Sequence, residues 1–309
     1  MLNSEESMNS KTKQKLDAIQ RHINREFNRW NEKYPNIIGA YPGKKIREGA
    51  FTGRYAIVFM VSDKQLDPSV KIPRQIKVRI PGEGSKLIPT DVVKKDRFKL
   101  LGANLSDNIE RIGSDISGTN GVFLIKGSNV FACSNAHVLN PKMLQNGLTH
   151  FVRPKEEQLQ PDVRLSNSRG ERFNAFLQEA FFGKIDIAVA RMDEPGNVDN
   201  RIPGFGKPTG IKIISQANRG LKVTMIGGIS GKQSGMILNV GVSQPVEDTG
   251  FTLQNLIEAD FFSDHGDSGS PVFADPLKII GIVVGGRNGL TYIIPIDKIL
   301  SAFKLDLLK

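Results

Sequence analysis

Three short segments carry residues able to do nucleophilic chemistry: SNAHVL around His137, KIDIAVA around Asp186 and HGDSGSPV around Ser268. An unassisted serine hydroxyl is a poor nucleophile near neutral pH and needs an adjacent base to take its proton as it attacks. The imidazole of His137 can be that base if it presents the right tautomer and tolerates becoming charged. A buried carboxylate accepting from the other ring nitrogen meets both needs, and Asp186 is the candidate. Each segment also has a plainer reading: DIAVA as a strand preceded by an acid, the histidine as structural, GDSGSP as a glycine-rich turn. Asp193 and Asp199 compete for the acid's role, but they sit in a Pro/Gly loop where nothing would hold a carboxylate rigidly against an imidazole.

The remaining chemistry-bearing residues point elsewhere. Cys133, the single cysteine, lies on the strand VFACS and reads as a buried, inert thiol. His22, His150, His265 and Cys133 have no metal-ligand spacing, so no metal site is expected. A net charge of +10 and a pI of about 9.6 would suit an anionic partner. The basic residues are scattered through YPGKKIR, VKKDRFK and later turns, without the interleaved aromatics that stack bases, so nucleic-acid binding is not expected.

These residues need elements to position them. Leu16, Ile19, Ile23, Phe27 and Trp30 recur every three or four positions and predict a docked amphipathic helix over residues 10 to 30. GRYAIVFMVSD reads as a buried strand and IKVRI as a half-exposed one, with turns in IPGEGSKLIP between elements. Together they predict an α+β accessory unit over residues 1 to 115, ending at the Gly/Ser/Asn signal GSDISGTNG. From 116 to 309 the chain reads as short strands: GVFLIK, NVFACS, DIAVARM, IKII, KVTMIGG, MILNVGV, LIEADFF, SPVF, KIIGIVV and LTYIIP. A Pro/Gly-rich break at 193 to 210 splits them into two sets, about 116–195 and 208–295, and two small barrels are the natural reading. The spacing of Ile296, Ile299, Leu300 and Phe303 predicts a closing helix.

The three segments, in the order His, Asp, Ser, resemble the motifs of the chymotrypsin/trypsin-like serine protease family. Asp186 follows His137 by 49 residues and precedes Ser268 by 82. The resemblance implies a mainly β fold of two six-stranded antiparallel barrels, the first supplying His137 and Asp186 and the second Ser268. It implies peptide-bond hydrolysis through an acyl-enzyme, with no cofactor and with protein or peptide substrates. Glycines around Ser268 would aim the backbone N–H groups of Gly266 and Ser268 at the developing oxyanion. By analogy Phe262, six residues before the serine, lies near the base of the P1 pocket. Val284, Gly285 and Gly286 in GIVVGG form the strand that pairs with substrate, giving an aliphatic or aromatic P1. Asp267 takes the place of an acid that holds the oxyanion loop by pairing with a new N-terminus, yet no activation cleavage site is identifiable. YAIVFMVSDKQLD, LIPTDVV, GKPTGIKI and VTMIGGISGKQSGMI extend the resemblance to a bacterial intracellular group related to plant proteases of the NARROW LEAF type.

The polar start MLNSEESMNSKTKQKLD has no apolar run for a signal peptide, and no stretch reaches the ~20 apolar residues needed to span a bilayer. With one cysteine, and Val138 where secreted relatives place a cysteine after the catalytic histidine, a soluble cytoplasmic protein is expected. The accessory unit, placed ahead of the protease, would offer a regulatory partner a means of restraint. Two other function classes are a catalytically silent binding module on the protease fold and a basic nucleic-acid-binding protein.

Overall fold

The computed structural model describes residues 10–34, 36–47, 50–61, 72–94, 108–154, 160–167, 171–198, 200–202, 204–247, 249–287 and 289–308. Asp199, weighed above as a competing acid, lies outside them. The first elements are helix α1 (Ser10–Lys33) and strands β1 (Ile37–Arg47), β2 (Ala50–Val61), β3 (Gln75–Ile80) and β4 (Gly84–Lys94). Then come β5 (Asn108–Arg111), β6 (Ser117–Thr119), β7 (Val122–Lys126), β8 (Asn129–Ser134), the short helices α2 (Ala136–Leu139) and α3 (Lys142–Gln145), β9 (His150–Val152), β10 (Val163–Ser166), β11 (Arg172–Phe181) and β12 (Ile187–Met192). The last set is β13 (Gly210–Ile211), β14 (Lys222–Gly227), β15 (Gly231–Pro245), β16 (Thr252–Ala259), β17 (Pro271–Ala274), β18 (Lys278–Arg287), β19 (Leu290–Pro295), helix α4 (Ile296–Phe303) and β20 (Asp306–Leu307).

The fold is mainly β. In the C-terminal set the pairing path β14–β17–β18–β19–β16–β15 returns on itself, because β14 pairs with β15 as well as with β17. Val223, Met225, Ile237, Ile257, Val272, Val283 and Ile293 fill this ring. The other sheet runs β20–β7–β8–β12–β11–β10–β5–β6, with β9 on β11, and has no such return among the described residues. β5 lies ahead of residue 116 yet pairs with β10 and β6, so it belongs to this sheet. α4 packs on β18 and β19, burying Ile296, Ile299 and Phe303, and the chain then crosses back so that Leu307 pairs with Leu124 of β7.

The N-terminal strands join the ring edge to edge: β1 pairs with β15 at Ala40 and Ser243, and β2, β4 and β3 follow outward. At this seam a Cβ on Gly39 would lie 2.5 Å from the Ser243 carbonyl oxygen and 2.2 Å from Met60 Cε, so only glycine allows the approach. The stripe of α1 is buried as its spacing predicts: Leu16, Ile19, Ile23 and Phe27 are buried, and the last three pack with Ile57, Phe59, Ile80 and Ile88, with the Trp30 ring edge-on to Phe59. α1 also reaches the ring, where Asn24 Nδ2 donates to Asn255 Oδ1 and Gln254 Nε2 to the Asn24 carbonyl. Most of IPGEGSKLIP, expected as turns, is strand: β4 begins at Gly84 and alternates outward Leu87 with inward Ile88. No helix among the described residues is long and apolar enough to cross a membrane.

Candidate active site

The pairing of β8 with β12 builds the first half of the site. Their register sets Ser134 against Ala188, which brings the turn after β8 beside the residue just before β12. In that turn Asn135 Nδ2 donates to the Asp186 carbonyl at 2.8 Å, and its own carbonyl accepts from Val138 and Leu139, fixing α2. Asp186 is fully buried; Oδ1 accepts from the backbone N–H of His137 at 3.0 Å and Oδ2 lies 2.5 Å from His137 Nδ1. Because a carboxylate only accepts, Nδ1 carries the proton and Nε2 presents its lone pair to Ser268 Oγ, 3.0 Å away. The structure thus brings together the three residues singled out from the sequence. Asp193, the other acid weighed, lies beyond the end of β12 and is exposed.

Ser268 is carried by the loop between β16 and β17, and both sheets clamp that loop. From the ring, Val283 O accepts from the Gly269 N–H at 2.8 Å. From the other sheet, the Thr119 N–H donates to the Ser268 carbonyl at 2.7 Å, while Thr119 Oγ1 donates to the Gly266 carbonyl at 2.8 Å and accepts from the Gly228 N–H at 3.2 Å. Gly266 and Gly269 take φ values of +97° and +91°, open to glycine, and a Cβ on Gly269 would lie 2.0 Å from the Thr119 carbonyl oxygen. Asp267 is fully buried. Its Oδ1 accepts from the N–H groups of Ile229 and Ser230 at 3.0 and 3.1 Å, and its Oδ2 from that of Asp264 at 2.8 Å. A carboxylate bound by three backbone donors can be buried without a cation beside it. Here the chain's own β14–β15 turn stands where the resemblance placed a new N-terminus.

Val284, Gly285 and Gly286 are buried on β18, with Gly285 opposite Tyr292 and Gly286 opposite Thr291 of β19. Phe262, expected near the pocket base, is 51% exposed. Residues 261 to 263 alternate in, out, in, so the buried neighbour that faces Gly286 is Ser263: a Cβ on Gly286 would lie 2.4 Å from Ser263 Oγ, which accepts from Thr291 Oγ1 at 2.8 Å. Thr119, Asn135, Ser263 and Thr291 were not found from sequence. They stand in no motif, and the contacts that define them cross between elements.

The remaining candidates lie apart. Cys133 is a free, buried thiol whose pKa burial pushes up to about 12. His150 is exposed, hydrogen-bonded to Glu179 and stacked on Phe181, and His265 is exposed beside the nucleophile loop. His22 sits on α1 with its pKa lowered by burial and by Arg25. No group of three or more His, Cys, Asp or Glu among the described residues could hold a metal ion.

The family profile for trypsin matches residues 111–299. A comparison with curated proteins found no significant match. Among solved structures, Thermobifida fusca protease A is similar at 19% identity and a TM-score of 0.48, covering 68% of this chain and 99% of its own. Nocardiopsis protease aligns at 16% identity and a TM-score of 0.49, covering 68% and 100%, and Cellulomonas bogoriensis chymotrypsin at 18% and 0.46, covering 68% and 99%.

Proposed function

Because the chain belongs to the trypsin family, we propose that it is a serine endopeptidase whose catalytic triad is His137, Asp186 and Ser268. The observation that carries this reading is the hydrogen-bonded series from Asp186 Oδ2 through His137 to Ser268 Oγ, at 2.5 and 3.0 Å. In this reading His137 Nε2 takes the proton of Ser268 as Oγ attacks the peptide carbonyl, and Asp186 stabilises the imidazolium that forms. The N–H groups of Gly266 and Ser268 bind the oxyanion, a contribution of about 100-fold or more in rate. His137 then protonates the leaving amine, and water, activated the same way, releases the acid. No cofactor takes part.

Asp267 holds the oxyanion loop through N–H donors of its own chain, which supports an enzyme that works without a cleaved N-terminus. The hydroxyls of Ser263 and Thr291 beside Gly286, with Phe262 outside, offer no carboxylate for a basic side chain. We propose an apolar P1 residue bounded by Val284, Gly285 and Gly286; a cleavage profile dominated by Arg or Lys overturns it. We read residues 1–115, apart from β5, as an accessory unit open to a regulatory partner and 116–309 together with β5 as the protease, its two sheets being the family's two barrels. Kinship with the bacterial intracellular group and the NARROW LEAF type, and a cytoplasmic location, rest on the outer motifs and on the unpaired Cys133.

One observation favours a catalytically silent binding module instead: Ser268 exposes no surface, so an acyl group reaches Oγ only if its surroundings yield. Fluorophosphonate labelling decides between the two. Modification at Ser268 in the wild type, lost in Ser268→Ala and His137→Ala, is the expected result. No labelling, in the full chain or after removal of residues 1–115, favours the silent module.

A further inference from the structure

Asp186 ends the turn that joins β11 to β12, and that turn is held from the ring of strands as well as from its own sheet. The Phe182 N–H donates to the Thr149 carbonyl at 3.0 Å, and the Phe182 ring meets Phe251, just ahead of β16, edge-on at 5.2 Å. The Lys184 carbonyl accepts from the Gln254 N–H of β16 at 2.9 Å. β16 bulges at this point: Leu253 lies opposite Gln244 and Leu256 opposite Val242, so Gln254 and Asn255 share the single place opposite Ser243. Asn255 takes a φ of +60°, a left-handed conformation that asparagine tolerates better than most side chains and that persists where its surroundings fix it.

What fixes it is the N-terminal helix. Asn24 Nδ2 donates to Asn255 Oδ1 at 2.9 Å, Gln254 Nε2 donates to the Asn24 carbonyl at 3.2 Å, and Gln20 Nε2 donates to Asn24 Oδ1 at 2.9 Å. Asn24 thus grips both residues of the bulge, one through its side chain and one through its backbone. Ile23 and Phe27 seat this part of α1 in the apolar cluster beneath it. Two residues beyond Lys184 stands Asp186, whose carboxylate meets the backbone N–H and the Nδ1 of His137.

We propose that Asn24 is a positioning residue for the acid of the triad: by fixing the bulge of β16 it sets the Lys184 carbonyl, and with it the placing of Asp186 against His137. This rests on the peptidase reading and adds to it a part for α1 in turnover. Asn24 touches neither the substrate nor the reacting atoms. Without its side chain the Oδ1 of Asn255 loses its donor, the bulge relaxes and the Gln254 N–H shifts from Lys184. The carboxylate then meets less well the imidazolium that forms as Ser268 attacks, so the loss falls on the transition state and not on substrate binding.

The test compares full-length Asn24→Ala and Asn255→Gly with wild type. Glycine accepts a φ of +60°, so the second variant breaks the same side-chain bond from the other end without touching the helix. In both, kcat for a fluorogenic peptide that wild type cleaves falls about three- to tenfold while KM stays within about twofold. The low-field proton resonance of His137 Nδ1, the signature of its hydrogen bond to Asp186, moves upfield or broadens. Ile23→Val loosens the seat of the helix but keeps Asn24, and leaves kcat and the resonance as in wild type. Unchanged kcat in both variants, an equal fall in Ile23→Val, or an unmoved resonance overturns the proposal. A wild type that fluorophosphonate never labels sinks the peptidase reading instead. The coupling is then judged on the resonance alone, and one that stays in place in Asn24→Ala and Asn255→Gly overturns it.

Discussion

At the scale of single residues, the loop proposed to bind the oxyanion depends on groups outside the proposed triad. Thr119 holds the Gly266 carbonyl and the Gly228 N–H with its hydroxyl and the Ser268 carbonyl with its N–H, so Thr119→Val keeps the shape and the N–H bond while removing both bonds of the hydroxyl. Steady-state kinetics are expected to show kcat down about tenfold or more with KM nearly unchanged, since the loss falls on transition-state stabilisation. Equal effects on KM and kcat would refute that role. Asp267→Ala leaves three backbone N–H groups without their carboxylate partner and should cost about 100-fold in kcat in a protein whose circular dichroism stays native. Cys133 makes a prediction of another kind. With its pKa pushed up to about 12, only about one molecule in ten thousand carries the thiolate at pH 8, so iodoacetamide should react only after unfolding. Rapid alkylation of the native protein would contradict this packing. The triad was legible because its chemistry demands particular side chains in short, glycine-bearing motifs. Thr119 was not, because its partner lies 147 residues away. Counting six residues back from Ser268 located Phe262 but not the direction of its side chain, and the in–out alternation turned Ser263 toward Gly286 instead.

Among the elements, regular periodicity was readable and interrupted periodicity was not. α1 and α4 bury the apolar stripes their spacing predicts. β11 escaped because a register shift between Leu177 and Glu179 breaks its alternation, and β15 was read only over MILNVGV because its first five residues, GKQSG, are polar or glycine. The first part of β4 was taken for turns on the strength of the glycines and prolines of IPGEGSKLIP. The β1–β15 seam is the element-level feature most exposed to test. Gly39→Ala forces β1 away from β15 because one clash is with backbone, and should cost ~1–3 kcal/mol. Differential scanning fluorimetry should show Tm lowered by several degrees, whereas Gly196→Ala, where nothing lies within 4 Å, should leave it unchanged. Equal melting of the two variants would mean that the seam bears no load.

For the whole molecule, the run of short strands pointed to a mainly β fold, and the resemblance carried by the segments around His137, Asp186 and Ser268 pointed to the family now matched over residues 111–299. The attachment of the N-terminal strands to the ring was not legible, since edge pairing between residues 40 and 243 leaves no local trace. That attachment bears on restraint. Removing residues 1–115 uncovers the edge of β15, takes β5 out of the other sheet and strips Ile38, Val58, Met60 and Ile109 from a shared apolar cluster, so peptide turnover should fall. A rise in turnover would restore the idea that this region holds the enzyme back. The long-range pairings also set a timetable for synthesis. Leu124 waits for Leu307 and β1 waits for β15, so neither sheet is complete while the ribosome still holds the C-terminal strands. Until those later strands are made, the loop that carries Ser268 lacks part of its frame. If the chain is a peptidase, it is therefore inert for as long as the strands that close its two sheets are unmade.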